Sequence, residues 1–202
     1  CCTVAWMCVA LDHLRLFGDS RAADEWELAF WNGALGAMAP SGRWWTYDTP
    51  MDGVRKASAH DIVFQARAGS PELNCCSVNG PRALGMLAEW AAMEAADGVA
   101  VNHHGPGRVS LRTPSGAPLA LTVAGDYPLG GSVRLTVGVA APEAFVLRLR
   151  IPGWSERTRV AVNGAPVDGV AAGRYLALER LWSPGDVVEM ELDFRPWRWV
   201  GE

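Results

Sequence analysis

The sequence has no apolar run approaching the roughly 20 residues needed to cross a bilayer, so no membrane partner is expected and the chain reads as soluble. It has no surplus of base either: 18 Lys and Arg are scattered among 22 Asp and Glu, for a net charge of -4. A phosphate backbone calls for clustered cations, so nucleic acid is not an expected partner. There is no C-x-x-C knuckle, which removes a structural zinc ribbon, and there is no internal repeat or low-complexity tract. All five cysteines fall within the first 76 residues, an odd number that is not spread as a secreted disulfide framework would be. That distribution favours a local thiolate site in a reducing, cytoplasmic compartment. The chain opens on Cys1 with no charged segment and apolar stretch after it, and it is therefore expected to be the C-terminal portion of a longer protein.

What is present is enough to bury a core. Half of the 202 residues are hydrophobic, and the length suggests one or two domains. The ten tryptophans read either as core filler or as a sugar-stacking cleft, and composition does not choose between them. From Thr3 to Phe17 the residues Val4, Met7, Cys8, Leu11, Leu14 and Phe17 recur at helical spacing until Gly18-Asp19. Asp19 or Ser20 then caps a second helix from about Arg21 to Met38, and Pro40-Ser41-Gly42 stops it. Two antiparallel helices joined by a tight turn look like one layer of a bundle or an α/α barrel.

Arg43 to Arg67 is irregular, with short strands expected at Trp44–Tyr47 and Ile62–Gln65 and loop at Pro50, Gly53 and Lys56–Asp61. A third helix is expected from Asn79, through Pro81, to Asp97-Gly98. Beyond Gly98 the hydrophobic period changes to two, with about eight strands punctuated by turns such as Asn163-Gly164 and Ser183-Pro184-Gly185-Asp186. The expected fold is α + β and multidomain: residues 1–97 as the C-terminal part of an (α/α)6 barrel, and residues 98–202 as an antiparallel β-sandwich.

The chemistry concentrates at Cys75-Cys76. Neighbouring thiols rarely bridge each other, because the enclosed peptide would be strained, so a shared metal is the first reading. Cys1 or Cys2 would supply a third soft ligand from another helix N-terminus, where the dipole favours a thiolate. The opposing reading is buried, inert thiols, and Cys8 on an apolar helix face fits it. His103-His104 lies at a strand end beside Gly105-Pro106-Gly107 and reads as a surface or inter-domain feature. Asp24, Glu25 and Glu27 offer paired carboxylates, although acids early in a helix often serve its dipole.

Several of these landmarks, in order and with their approximate spacing, resemble the β-L-arabinofuranosidases of glycoside hydrolase families 127 and 146. They are Cys2-Thr3-Val4-Ala5-Trp6-Met7, Gly18-Asp19, Ala23-Asp24-Glu25-Trp26-Glu27 with Asn32, Tyr47-Asp48-Thr49-Pro50-Met51, and Cys75-Cys76-Ser77-Val78-Asn79 with Arg82. Leu149–Trp154, Val162-Asn163-Gly164 and Arg180–Asp186 resemble that family's accessory sandwich. The resemblance implies a zinc ion held by one Glu and three Cys, mapped to Cys2, Cys75 and Cys76, with the Glu ahead of Cys1. It further implies that Cys75 is the nucleophile and that Glu27 and Tyr47 line the sugar pocket, while the general acid/base falls on no residue of this chain.

The function expected is therefore a retaining glycoside hydrolase releasing terminal β-L-arabinofuranose-like sugars from an arabinose-containing glycan, with these 202 residues inactive by themselves. The alternative is a non-catalytic glycan-binding or structural module whose cysteines are redox-active or inert.

Overall fold

The computed structural model describes residues 1–47, 75–196, 198, 200 and 201. The expected strand Ile62–Gln65, the loop residues Pro50, Gly53 and Lys56–Asp61, His60, and the landmark Asp48-Thr49-Pro50-Met51 lie outside the described residues. The chain divides into two compact units, Cys1–Glu89 and Trp90–Glu202.

The first unit is helical. Helix α1 (Cys2–Phe17) buries Val4, Met7, Ala10, Leu11 and Leu14 on one face. Gly18 ends it in the left-handed region (φ 63), where its N–H reaches the Leu14 carbonyl. Asp19 then caps α2 (Ser20–Leu28), its carboxylate accepting from the Arg21 N–H. Helix α2 runs on into a π-helical segment, Ala29–Leu35. Trp6 donates to Glu25 and Thr3 packs against Gly33, so α1 and α2 run antiparallel about the Gly18 turn. A β-carbon on Gly33 would fall 2.5 Å from the Thr3 methyl, which explains a glycine at this approach.

Helix α3 spans Cys75–Trp90, with Pro81 in its interior. It starts four residues earlier than Asn79 and stops well before Asp97. The Cys pair therefore forms its first turn instead of preceding it. Ala91 and Ala95 continue the apolar helical face of Leu84, Leu87 and Ala88 in the sequence, but small side chains suit a strand edge as well. Ala92–Ala95 instead pairs with Gly98–Val101, closing a hairpin at Ala96-Asp97.

Among its described residues the second unit has ten strands: β1 (Ala92–Ala95), β2 (Gly98–Val101), β3 (Gly107–Arg112), β4 (Pro118–Gly125), β5 (Ser132–Gly138), β6 (Glu143–Ile151), β7 (Arg159–Val162), β8 (Ala165–Pro166), β9 (Arg174–Trp182) and β10 (Val187–Glu191). They form a four-stranded sheet, β1-β2-β6-β9, and a six-stranded sheet, β3-β4-β5-β10-β7-β8. Leu119, Leu121 and Val123, then Val133, Leu135 and Val137, then Phe145, Leu147 and Leu149 are buried at every second position, which is the pattern that packs one face of each strand into a core. The Asn163-Gly164 turn joins β7 to β8 with positive φ at both residues.

The structure corrects the expected fold class. The described residues contain three short helices and two sheets, an α + β arrangement, and not an (α/α)6 barrel of six helix pairs. Helical periodicity reports one face of one helix, and it is the same for a single antiparallel pair as for a closed ring. The sandwich is also not purely antiparallel, because β2 runs parallel to β6. Gly98 allows that pairing: a β-carbon there would meet the Val146 carbonyl oxygen at 1.8 Å.

His103-His104 is not a surface pair. His104 is buried, and its Nε2–H donates to the Arg150 carbonyl at 3.0 Å. Burial holds its imidazole well below the ordinary range, with the nearby Arg150 and His103 adding to the effect. The Arg150 guanidinium is itself fully buried, 5.4 Å from the Trp90 ring centroid, and its Nε donates to the Asn102 carbonyl at 2.8 Å. Asn102 in turn donates to the Trp90 carbonyl and accepts from the Tyr175 hydroxyl. These groups make a polar core for the second unit.

Candidate metal centre

Three thiols converge where two helices begin. Cys1 is the N-cap of α1, and Cys75 and Cys76 open α3. Their Sγ atoms all lie within 4.8 Å of one another, the one such group of three His, Cys, Asp or Glu side chains among the described residues. The Cys75 and Cys76 sulfurs are 3.8 Å apart. A disulfide requires about 2.05 Å, and all five cysteines are free thiols. Two thiolates sharing a tetrahedral cation at about 2.3 Å stand about 3.8 Å from each other, so the spacing fits a soft metal ion.

The surroundings favour negative charge on sulfur. Cys1 stands at the N-terminus of α1, where the positive end of the helix dipole is directed. Burial pushes the Cys76 thiol above its ordinary range, and the adjacent Cys75 pushes it further. A cation is what makes the loss of such a proton favourable near neutral pH.

Trp45 buttresses the first turn of α3. It is buried, its backbone N–H donates to Ser77 Oγ at 3.2 Å, and its indole N–H donates to the Ala34 carbonyl at 2.9 Å. Its ring lies against Gly80. Asn79 completes the cluster: its Nδ2 donates to Cys1 Sγ at 3.3 Å and to the Cys75 carbonyl at 2.8 Å.

Residues 1–89 match the family model of the β-L-arabinofuranosidase GH127 catalytic domain, and residues 98–194 match that of the GH127 middle domain. A solved glycoside hydrolase superposes with a TM-score of 0.77 at 25% identity, covering 95% of this chain and 32% of its own. A GH127 beta-L-arabinofuranosidase from Geobacillus stearothermophilus T6 gives 0.77 at 27% identity, covering 94% and 31%. The GH127 beta-arabinofuranosidase BT3674 shares the fold with a TM-score of 0.79 at 24% identity, covering 95% and 31%. At the level of its domains, the chain has the GH127 β-L-arabinofuranosidase fold. It spans about a third of the length of these solved structures. No curated protein matches its sequence.

Within this fold the residues singled out from sequence lie in different places. Cys75 and Cys76 are in the thiol group, and the third member is Cys1 where the resemblance had mapped Cys2. Cys2 is exposed in the first turn of α1, about 100° around the helix axis from its neighbour, so two adjacent cysteines there diverge. Glu27 is buried on α2 and is not in the thiol group. Tyr47 is exposed, two residues after Trp45. Cys8 is half-buried, with its sulfur 3.7 Å from that of Met86. Of the tryptophans, Trp26, Trp90 and Trp182 are fully buried, whereas Trp6 is half exposed.

Sequence reasoning missed the bracing role of Trp45, which it placed on a short strand, and the side-chain role of Asn79, which it placed at a helix cap. Asn79 lies four residues after Cys75 and three before Arg82, one face of a helix, and that spacing becomes informative once α3 is known to begin at Cys75.

Proposed function

We propose that the protein is a retaining glycoside hydrolase that releases terminal β-L-arabinofuranose-like sugars from an arabinose-containing glycan, with Cys75 as nucleophile. What supports the reading is the convergence of the Cys1, Cys75 and Cys76 sulfurs in a chain with the GH127 fold. Cys1, Cys75 and Cys76 would hold zinc, with the fourth ligand not assigned to this chain. Bound there, zinc would keep the coordinated sulfurs deprotonated at neutral pH.

Cys75 attacks the anomeric carbon as the glycosidic C–O bond breaks, forming a thioglycosyl intermediate that water then hydrolyses with net retention. Protonation of the leaving oxygen and activation of that water require a carboxyl group that the resemblance places on no residue of this chain. Glu27 and Tyr47 contribute to the sugar pocket. The 202 residues alone are accordingly expected to be inactive.

The test is hydrolysis of an aryl β-L-arabinofuranoside by the full-length protein, with metal content measured in parallel. About one equivalent of zinc, activity lost in Cys75→Ala, and a sugar adduct on the peptide carrying Cys75 are expected. A folded, zinc-loaded protein that turns over no furanoside, or whose Cys75→Ala variant keeps its activity, overturns the reading.

A further inference from the structure

We infer that Asn79, held by Arg82, is a positioning residue for the thiolate of Cys1, supplying an N–H···S hydrogen bond that orients this sulfur toward the same point as those of Cys75 and Cys76. The inference rests on the reading that these thiols hold zinc. Its geometry is specific. Arg82 Nη1 stands 3.1 Å from Asn79 Oδ1, and the Cys75 carbonyl stands 2.8 Å from Asn79 Nδ2. A guanidinium only donates and a carbonyl oxygen only accepts. Two independent partners therefore fix which end of the amide faces which way. The second N–H of the amide is left for Cys1 Sγ at 3.3 Å, so what reaches that sulfur is a donor.

The bond also spans the site. Cys1 opens α1 and Asn79 belongs to α3, the helix that carries the other two thiols. It thus ties the third ligand to the helix bearing the first two. The placement is not explained by helix stability: Asn is a poor helix former, and a side chain bonded back to the carbonyl four residues earlier competes with the backbone ladder. A hydrogen-bond donor on a coordinated sulfur draws charge from it and holds its lone pairs in one direction, as outer partners of metal ligands do.

The experiment uses the full-length protein, with zinc affinity from chelator competition and, after cobalt substitution, the energy of the sulfur-to-cobalt charge-transfer band. Asn79→Leu is expected to weaken zinc binding by about 10- to 100-fold and to move the band to lower energy, because a sulfur without its donor gives up charge more readily. Arg82→Leu, which frees the amide to rotate, is expected to shift both in the same direction, and Arg82→Lys, which keeps a donor, to restore them. Zinc affinity within about twofold of wild type in Asn79→Leu overturns the inference. So does weaker binding with an unmoved band, since a merely structural role would give that. If Asn79→Leu does not fold, the exposed Arg82 pair decides alone. A wild-type protein that takes up no metal defeats the proposed function and this inference together, and is told apart by failing before any variant is compared.

Discussion

The indole of Trp45 lies so close to Gly80 that a β-carbon on Gly80 would fall 2.2 Å from the ring. Gly80 is buried four residues after Cys76, so the approach fixes where the first turn of α3 sits. Trp45 cannot retreat without surrendering its hydrogen bonds to Ala34 and Ser77. Gly80→Ala is therefore expected to destabilise the protein by about 1–3 kcal/mol through overpacking, and to weaken metal binding with it. Gly85→Ala, on the same helix with nothing within 4 Å of the added carbon, is expected to stabilise by about 0.4–1 kcal/mol. Urea midpoints of the two variants check the contrast, and a neutral Gly80→Ala contradicts it.

The assignment of the third thiol makes a sharp comparison between neighbours. Cys1→Ser removes a member of the converging group, whereas Cys2→Ser changes an exposed side chain outside it. Cys1→Ser is expected to lose zinc to a chelator at concentrations that leave Cys2→Ser and wild type loaded. The reverse order would restore the mapping of the ligand to Cys2.

That one-residue ambiguity shows what was legible in the sequence. The apolar positions Val4, Met7, Leu11 and Leu14 identify the buried face of α1, and the Asp19 cap is where its side chain predicts. Cys75 and Cys76 stand out because adjacent thiols have few other uses. Choosing between Cys1 and Cys2 required the orientation of a helix start, and a shift of one residue is a shift of about 100°. The alanines from Ala91 to Ala95 carry no period strong enough to separate helix from strand. The β2–β6 parallel pairing joins residues 48 apart in sequence, such as Val99 with Leu147, and no local pattern announces it. His104 read as a surface or inter-domain residue because it lies at a strand end beside Gly105-Pro106-Gly107; its buried partner, the Arg150 carbonyl, is 46 residues away.

His104 and Asp193 give the second unit two separate responses to acid. The folded state keeps His104 neutral well below its ordinary 6.5, so below that pH the unfolded chain binds a proton that the folded chain does not. Stability is expected to decline as pH falls from about 6.5. Asp193 is held down to about 2, first by its side-chain bonds to Arg195. Its contribution is present above the ordinary carboxylate range and is lost as pH falls from about 4 toward 2. Unfolding midpoints against pH should show both declines. His104→Gln should flatten the upper one while leaving the lower, and Asp193→Asn the lower one while leaving the upper; an unchanged upper decline in His104→Gln contradicts the assignment.

Glu27 offers a separation of sugar binding from metal binding. It is buried on α2, and its carboxylate is not in the thiol group. If its role is in the sugar pocket, Glu27→Gln removes a charged acceptor while leaving Cys1, Cys75 and Cys76 untouched. In the full-length protein, kcat/KM for an aryl β-L-arabinofuranoside is then expected to fall by about 10- to 100-fold, the scale of a lost hydrogen bond to a charged group. Zinc content should stay at the wild-type level. Cys75→Ala should do the opposite in one respect, losing turnover and weakening metal retention together, because the same sulfur serves both purposes. Loss of zinc in Glu27→Gln would move Glu27 from the sugar to the metal, and unchanged kcat/KM would remove it from the site.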